Sequence, residues 1–184
     1  TVKITGALTT KTEVNVITGD NDYDYHTGVV TKKTTDDASN NDSSSINQPK
    51  LAIDAAALGS ITSGRIRLIA NEDGFGVKTR GNLISNVEDI VITADGEVTI
   101  GGNNSKITAV TNIKITSNND NVHIGEQEEI LDGTNGNNSN SDLSNITTIT
   151  AAIDLDITAK KSIYINDGSK IEAKQDIKLI AQED

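Results

Sequence analysis

The chain has 184 residues and a formal net charge of −11 at pH 7, with no cysteine, methionine or tryptophan and a single proline. Hydrophobic residues make up 34% of the chain and aromatic residues 2%, so a large conventional core is difficult to build. The acidic charge disfavours nucleic acid as a partner, because phosphate binding needs basic patches. The absence of cysteine excludes disulfides and thiolate metal sites. Since no run of 18 apolar residues is present, no membrane insertion is predicted.

The first part of the chain, residues 1–63, carries an irregular strand pattern. The Val14–Ile17 stretch predicts a first strand, and Leu51–Ile53 predicts a later one. Between them, residues 33–49 are polar and low in complexity, and we interpret them as a loop extruded from the fold. The small apolar segment Ala55–Gly59 favours a short helical or irregular turn.

From residue 64 to residue 184 the pattern becomes a repeat, in which one five-residue motif of alternating residues recurs. Its copies begin at Ile66, Ile90, Ile113, Leu155 and Ile177. The steps between copies are 24, 23, 42 and 22 residues (90−66, 113−90, 155−113 and 177−155). The step of 42 corresponds either to two turns of a coil or to one turn with an insertion. Removing the 19 polar residues 126–144 leaves 23, so we interpret that segment as a second loop, with a short element at Ile130 and Leu131.

Two further strand signals follow each copy of the motif. Apolar-x-apolar segments begin eight or nine residues later, at Val98, Val122 and Ile163. A third set of aliphatic positions lies at Leu83, Ile107, Ile146 and Ile171. Alternation of period 2 indicates strands, and parallel crossovers are nearly always right-handed. The sequence therefore predicts an all-β, right-handed parallel β-helix, one continuous solenoid with three short strands per rung of about 22–24 residues.

Glycines are expected at the corners of this coil, because glycine adopts positive φ without steric cost. The predicted structural turns are at Gly74, Gly76, Gly81, Gly96 and Gly168. We also expect the chain to be a segment of a longer coil, since an uncovered end of a β-stack invites further pairing.

Residues 13–84 carry a resemblance to a known family. Glu13–Gly19, a variable polar loop and Leu51–Ile61 lead into Gly64–Leu83, which contains Gly-Arg-Ile-Arg-Leu-Ile-Ala-Asn-Glu-Asp-Gly-Phe-Gly-Val. This succession resembles filamentous-haemagglutinin-type exoproteins of two-partner secretion, at the end of the secretion domain and the first repeats. The family's Ala-Leu-Gly-Gly-Met-Tyr turn is Ala-Leu-Gly-Ser-Ile-Thr at residues 57–62, without the second glycine and the aromatic residue.

The resemblance implies export through a dedicated outer-membrane pore and a place outside the cell or on the bacterial surface. We expect an adhesin-like segment that presents loops to an unidentified host-cell or neighbouring-cell receptor. The candidate binding positions in these loops are Asp36, Asn40, Asp42, Asn137 and Asn140. One alternative is the stalk of a contact-dependent growth inhibition toxin.

A second alternative is a glycan-active β-helix enzyme, and few residues support it. Such an enzyme needs paired carboxylates in a cleft, and sugar sites favour aromatic platforms. Asp20, Asp22 and Asp24 alternate as a cation clasp could, but the EF-hand pattern fails and a solvated loop is our interpretation. His26 and His123 are the only histidines, and strand alternation points His123 outward. We therefore expect no catalytic residue, no cofactor, no metal site and no enzymatic activity.

Overall fold

The structure is a computed structural model that describes residues 1–24, 26–33, 50–55, 59–102, 104–125 and 146–183. In these ranges the chain forms twenty β-strands, and no helix there is long and apolar enough to cross a membrane. The first ten are β1 (Val2–Ile4), β2 (Ala7–Thr9), β3 (Glu13–Thr18), β4 (Asn21–Tyr23), β5 (Val30–Lys32), β6 (Lys50–Ala55), β7 (Ser60–Ser63), β8 (Arg65–Ala70), β9 (Phe75–Thr79) and β10 (Asn82–Ser85). The other ten are β11 (Ile90–Ala94), β12 (Val98–Ile100), β13 (Lys106–Ala109), β14 (Ile113–Ser117), β15 (Val122–Ile124), β16 (Thr148–Ala151), β17 (Leu155–Ala159), β18 (Ile163–Ile165), β19 (Lys170–Ala173) and β20 (Ile177–Ala181).

Eighteen of these strands form three parallel sheets of six strands each. Sheet A has the order β1-β6-β9-β12-β15-β18, sheet B has β2-β7-β10-β13-β16-β19, and sheet C has β3-β8-β11-β14-β17-β20. Each successive trio of strands makes one turn, so the described residues form six stacked rungs. The predicted parallel β-helix with three strands per rung is confirmed, while its right-handed sense stays a prediction. The sheets run across residue 64, and the division into parts 1–63 and 64–184 also stays a prediction.

The pairing register resolves the 42-residue step. Ile113 of β14 pairs directly with Leu155 of β17. The neighbouring pairs, Ile90 with Ile113 and Leu155 with Ile177, continue the same alignment. The step is therefore one rung with an insertion between β15 and β16. The predicted loop 126–144, with its element at Ile130 and Leu131, lies outside the described residues.

One aliphatic column differs from the prediction. In sheet B, Ile107 pairs with Ile149 rather than with Ile146, and Ile149 pairs in turn with Ile171. Ile149 is fully buried, whereas Ile146 is 44% exposed. Residue spacing gives no reliable register directly after an insertion. The register is set instead by the strand, because Ile149 and Ala151 both point inward.

The core consists of columns that contain one inward side chain from each rung. In sheet C, one column holds Leu68, Ile92, Ile115 and Ile157, all with no exposed surface. Each fully buried aliphatic side chain of this kind stabilises the fold by roughly 1.5–3 kcal/mol. Because neighbouring rungs bury each other's columns, stability depends on stacking rather than on any single rung.

Small hydroxyl side chains fill some inward positions next to the corners. Ser85 Oγ donates a hydrogen bond to the carbonyl oxygen of Gly64, at 2.6 Å. Ser117 Oγ donates to the carbonyl oxygen of Gly96, at 2.7 Å. Both serines are buried, and these bonds provide their hydroxyl groups with partners in the preceding rung.

The chain leaves the coil after β3 and forms a hairpin that alternation of aliphatic residues does not predict. β4 and β5 pair antiparallel, with Asn21 opposite Lys32 and Tyr23 opposite Val30. The excursion therefore starts after Thr18, 15 residues before the predicted loop 33–49 (33−18). The strands contain the polar sequences Asn-Asp-Tyr and Val-Thr-Lys, so they carry little alternation. Residues 34–49, and residues 56–58 of the predicted covering turn, lie outside the described residues.

Four of the five predicted corner glycines show a backbone constraint, of two kinds. Gly74 and Gly168 have φ of +74° and +77°, so their backbone is in the left-handed region. At Gly76 and Gly96 the constraint is instead a close approach between rungs. Gly81 lies between β9 and β10.

Candidate functional site: the hairpin and the outer face of sheet C

The outward side chains of sheet C change from aliphatic to polar and back along the coil. One outward column contains Ile17 and Ile69 in the first two rungs. The same column contains Thr93, Thr116 and Thr158 in the next three rungs. Outward aliphatic side chains therefore lie at both ends of this column, at Ile17 and Ile69 beside the hairpin and at Ile180 in the last described rung.

Arg67 links the hairpin to this face. Its Nε donates to Asn15 Oδ1 at 2.9 Å, and its Nη1 donates to the carbonyl oxygen of Gly28 at 2.5 Å. Its Nη2 lies 3.4 Å from Glu13 Oε2. The side chain is only 15% exposed, so the planar guanidinium holds β3 and the hairpin turn together in a fixed geometry.

The hairpin turn is stabilised by its own hydrogen bonds. Asp24 Oδ1 accepts hydrogen bonds from the backbone N–H groups of His26 and Thr27, at 2.8 and 3.2 Å. The bond from His26, followed by those from Thr27, lowers the pKa of Asp24, because they favour the charged carboxylate. The backbone N–H of Gly28 also donates to the carbonyl oxygen of Asp24 at 2.7 Å. The turn therefore has a defined shape.

Two lysines at the end of the hairpin engage acidic side chains. Lys33 Nζ lies 3.2 Å from Asp22 Oδ1 and 3.7 Å from Asp20 Oδ1, and its hydrogen bond to Asp22 is the main cause of its raised pKa. Lys32 pairs with Asp73 in the corner before β9, and this hydrogen bond raises the pKa of Lys32. Within the described part of the chain, no three His, Asp or Glu side chains group to hold a metal ion. The alternating aspartates form ion pairs and a turn cap.

A groove of about 480 Å³ lies between β3 and the hairpin. Its lining residues are Glu13, Asn15, Ile17, Gly19, Asn21 and Tyr23. Asn15 Nδ2 donates to the Tyr23 hydroxyl at 3.1 Å, which joins the floor of the groove to its wall. Asn21 Nδ2 donates to the carbonyl oxygen of Thr18 at 3.0 Å, while its buried Oδ1 has no hydrogen-bond partner among the described residues.

A second cluster lies on the outer face of sheet A. His123 Nε2 is 3.3 Å from Glu97 Oε2, and the imidazole stacks on Tyr164 with ring centroids 4.6 Å apart and planes at 14°. Glu97 Oε1 also accepts a hydrogen bond from Thr99 Oγ1, at 3.0 Å. These contacts link three successive rungs across the surface, and they place His123 on the outward face that alternation indicates.

The predicted loop positions are not among the residues that form these clusters. Asp36, Asn40, Asp42, Asn137 and Asn140 lie outside the described residues. Sequence patterns also do not reveal the groove, because Arg67 and Gly28 are 39 residues apart. Aliphatic residues at outward strand positions do not mark it either, since Ile180, four rungs beyond Ile69 in the same column, shows the same pattern as Ile17 and Ile69.

The fold and these surfaces define the class of protein, a parallel β-helix with an excursion docked on one outer face. Toxin CdiA of Yersinia pestis is 39% identical to the chain over 85 residues, which are 46% of this chain and 2% of that protein. tRNA nuclease CdiA-2 of Burkholderia pseudomallei (strain 1026b) is 30% identical over 89 residues, 48% of this chain and 3% of that protein. tRNA nuclease CdiA of Yersinia mollaretii is 30% identical over 128 residues, 69% of this chain and 4% of that protein. No family model and no solved structure matches the chain.

These relatives are contact-dependent inhibition proteins of the two-partner secretion family, and they are secreted and exposed on the cell surface. The chain spans only 2–4% of the length of the three relatives described. The relatives agree with the resemblance to two-partner-secreted exoproteins. The assignment of this chain to the end of the secretion domain stays a prediction. The relatives favour the inhibition-toxin alternative over the adhesin expectation, which they do not directly support.

The relatives also correct the expectation that the protein is not an enzyme. Two of the three relatives described are named tRNA nucleases. The exclusion of nucleic acid as a partner, based on the net charge of −11, is weakened by the same names. A short rod segment carries its own charge and composition, and these do not report the activity of the much longer proteins that contain such segments.

Proposed function

We propose that the chain is a rod-forming segment of a contact-dependent inhibition protein, exported by an outer-membrane partner and exposed on the surface of the producing bacterium. The observation that carries this proposal is the unbroken register of sheet C through all six rungs. Column positions such as Leu68, Ile92, Ile115 and Ile157 repeat once per rung, so the coil extends by adding identical layers. The similarity to the CdiA proteins supports the inhibition role.

The whole protein, on this proposal, cleaves RNA in a target cell, as the names of two relatives state for those proteins. This activity is not assigned to any described residue. Contact with the target cell is proposed for the loops 33–49 and 126–144. Removing both loops should leave the β-sheet circular dichroism unchanged and reduce attachment to target cells; undiminished attachment would argue against the loops.

A rung deletion tests the rod role in the whole protein. Deleting residues 90–112 removes 23 residues (112−90+1) and joins Asp89 to Ile113, which occupies the same register position as Ile90. The rod should shorten by ~4.8 Å and still be exported, and it should still inhibit neighbouring cells. Deleting only residues 90–101 is the matched control, because it removes one strand from sheet C and one from sheet A and breaks the register of the stack.

The assay is growth of an unprotected target strain mixed with the producer, with and without a filter that prevents cell contact. We expect growth inhibition only with contact, both for the natural protein and for the full-rung deletion, and its loss for the partial deletion. A natural producer that inhibits no target strain, or that inhibits equally through the filter, would contradict the proposed function.

A further inference from the structure

We propose that the groove between β3 and the β4–β5 hairpin binds a neutral saccharide. A volume of about 480 Å³ falls within the range of roughly 300–1,000 Å³ that is typical of small-molecule sites. This proposal rests on the geometry of the groove and is independent of whether the whole protein acts in contact-dependent inhibition.

The walls of the groove are held in place before any ligand arrives. Arg67 bonds to Asn15 on the floor and to Gly28 in the hairpin turn. Asp24 caps that turn, and the Tyr23 hydroxyl accepts a hydrogen bond from Asn15. A preorganised site loses less conformational entropy on binding, which is the condition for useful affinity with small polar ligands.

The lining offers the groups that recognise hydroxyls and the apolar face of a sugar ring. Glu13 provides a carboxylate, and the side-chain oxygen of Asn21 is a buried acceptor without a partner among the described residues. Tyr23 and Ile17 supply an aromatic ring and an aliphatic surface for the C–H groups of the ring.

The charges around the groove favour a neutral ligand. Glu13 in the lining is paired with Arg67, at 3.4 Å. The nearby aspartates, Asp20 and Asp22, are both engaged by Lys33. An anionic sugar would meet Glu13 and a protein of net charge −11, while a cationic sugar would compete with Arg67 for the carboxylate. A neutral saccharide neither is repelled by Glu13 nor competes with Arg67 for it.

Titration of the isotope-labelled whole chain by NMR tests the proposal. The neutral probes are D-galactose, N-acetyl-D-glucosamine and maltose, and the charged probes are D-glucuronate and D-glucosamine. We expect at least one neutral probe at millimolar concentration to shift the amide signals of Asn15, Asn21 and Tyr23, and the charged sugars to bind at least about tenfold more weakly. A neutral bacterial surface polysaccharide forms a separate arm; tighter binding to it than to the free sugars identifies a surface glycan as the source, and equal binding identifies free sugar.

Variants make the site assignment specific. Tyr23→Ala should weaken binding about tenfold or more, and Tyr164→Ala on sheet A is the matched control that should leave it unchanged. Asn21→Asp keeps the size of the side chain, adds a negative charge and removes the Nδ2 group that donates to the Thr18 carbonyl oxygen. It should weaken the binding of neutral sugars and strengthen the binding of D-glucosamine relative to them. This preference is a ratio between sugars measured within one protein, so it remains informative even if either substitution loosens the hairpin.

Several results would overturn the proposal. They are the absence of any shift in the groove with all neutral probes, charged sugars that bind as tightly as neutral ones, equal losses in Tyr23→Ala and Tyr164→Ala, or an Asn21→Asp variant whose sugar preference does not change.

Discussion

Arg67 Nη1 and the carbonyl oxygen of Gly28 are joined by a hydrogen bond of 2.5 Å that connects residues 39 positions apart. This bond fixes the hairpin turn to the coil. Lys114 stands two rungs further along the same outward column of sheet C, where no described hairpin residue contacts it. Comparing variants of Arg67 and Lys114 therefore distinguishes the loss of hairpin docking from the loss of any basic residue on this face.

Replacing Arg67 by methionine should release the hairpin and leave the coil folded. A hydrogen bond that involves a charged group contributes about 1.5–3 kcal/mol, so local opening of the hairpin should become at least tenfold more frequent. Hydrogen exchange at the backbone amides of Asp24, Gly28 and Lys33 measures this opening. Lys114→Met should leave these amides unchanged, and unaltered protection in Arg67→Met would show that Arg67 does not dock the hairpin.

Truncating a side chain in the inward column of sheet C should destabilise the chain by an amount that depends on how deeply that side chain is buried. Ile92 has no exposed surface, whereas Leu179, in the same column, is 46% exposed. Ile92→Ala should lower the free energy of unfolding by about 2–5 kcal/mol, because it removes buried methyl groups and leaves a cavity between two rungs. Leu179→Ala should lower it by about half of this or less. Urea denaturation compares the two, and equal losses would contradict the layered core.

Adding a methyl group at Gly76 should be more harmful than adding one at Gly74. A Cβ atom at Gly76 would lie 2.3 Å from the carbonyl oxygen of Glu97 in the next rung, and this backbone atom cannot move away without breaking the stack. Gly76→Ala should therefore destabilise the chain by about 3 kcal/mol or more. At Gly74 there is open space but φ is +74°, so Gly74→Ala should cause a loss of only about 1–2 kcal/mol. Thermal unfolding distinguishes the two, and a reversed order would contradict the close contact between rungs.

The Asp89 carboxylate should make stability depend on pH in the acidic range. Its Oδ1 accepts hydrogen bonds from Thr111 Oγ1 at 2.5 Å and from the backbone and side-chain N–H groups of Asn112 at 3.0 and 3.1 Å. Burial raises the pKa of Asp89, but these hydrogen bonds and the charge of Arg65 outweigh it and hold the pKa below the ordinary value of 3.8. The carboxylate therefore stabilises the folded state above pH 3.8, and this contribution is lost as the pH falls through the lowered pKa.

Asp89→Asn tests this dependence. The variant should be less stable than the natural chain at pH 6, and the difference should shrink as the pH falls below about 4. The matched control is Asp156→Asn, on the outer face of sheet C, which should show a smaller difference at pH 6. A difference between Asp89→Asn and the natural chain that stays constant from pH 6 to pH 3 would contradict the role of the charged form.

Much of the coil is predictable from sequence because a strand in a stacked rung obeys a simple alternation. The pairing of Ile113 with Leu155 could be anticipated from spacing once the polar segment was removed. The position of Ile149 could not, because an insertion precedes it and both Ile146 and Ile149 satisfy the local pattern. Alternation specifies faces and periods, but it does not specify register after an interruption.

The groove depends on contacts that have no local signature. Tyr23 lies in a three-residue strand of polar sequence, and its hydroxyl meets Asn15 of a strand that belongs to the coil. Arg67 occupies an ordinary outward position, and only the folded hairpin gives it partners. Ile17 and Ile69 are aliphatic at outward positions, but so is Ile180 in the same column, so this pattern does not identify the part of the face that the hairpin contacts.

The rung repeat also determines how far such a protein can reach. A turn of about 22–24 residues advances the coil by ~4.8 Å, or ~0.2 Å per residue, whereas an α-helix advances ~1.5 Å per residue. Great length therefore demands a very long polypeptide, and in return nearly every strand is braced by a neighbour above and below. Gain or loss of one complete turn changes the distance spanned by a fixed increment while the cross-section stays the same, so gene duplication or deletion can adjust the span of the rod in uniform steps.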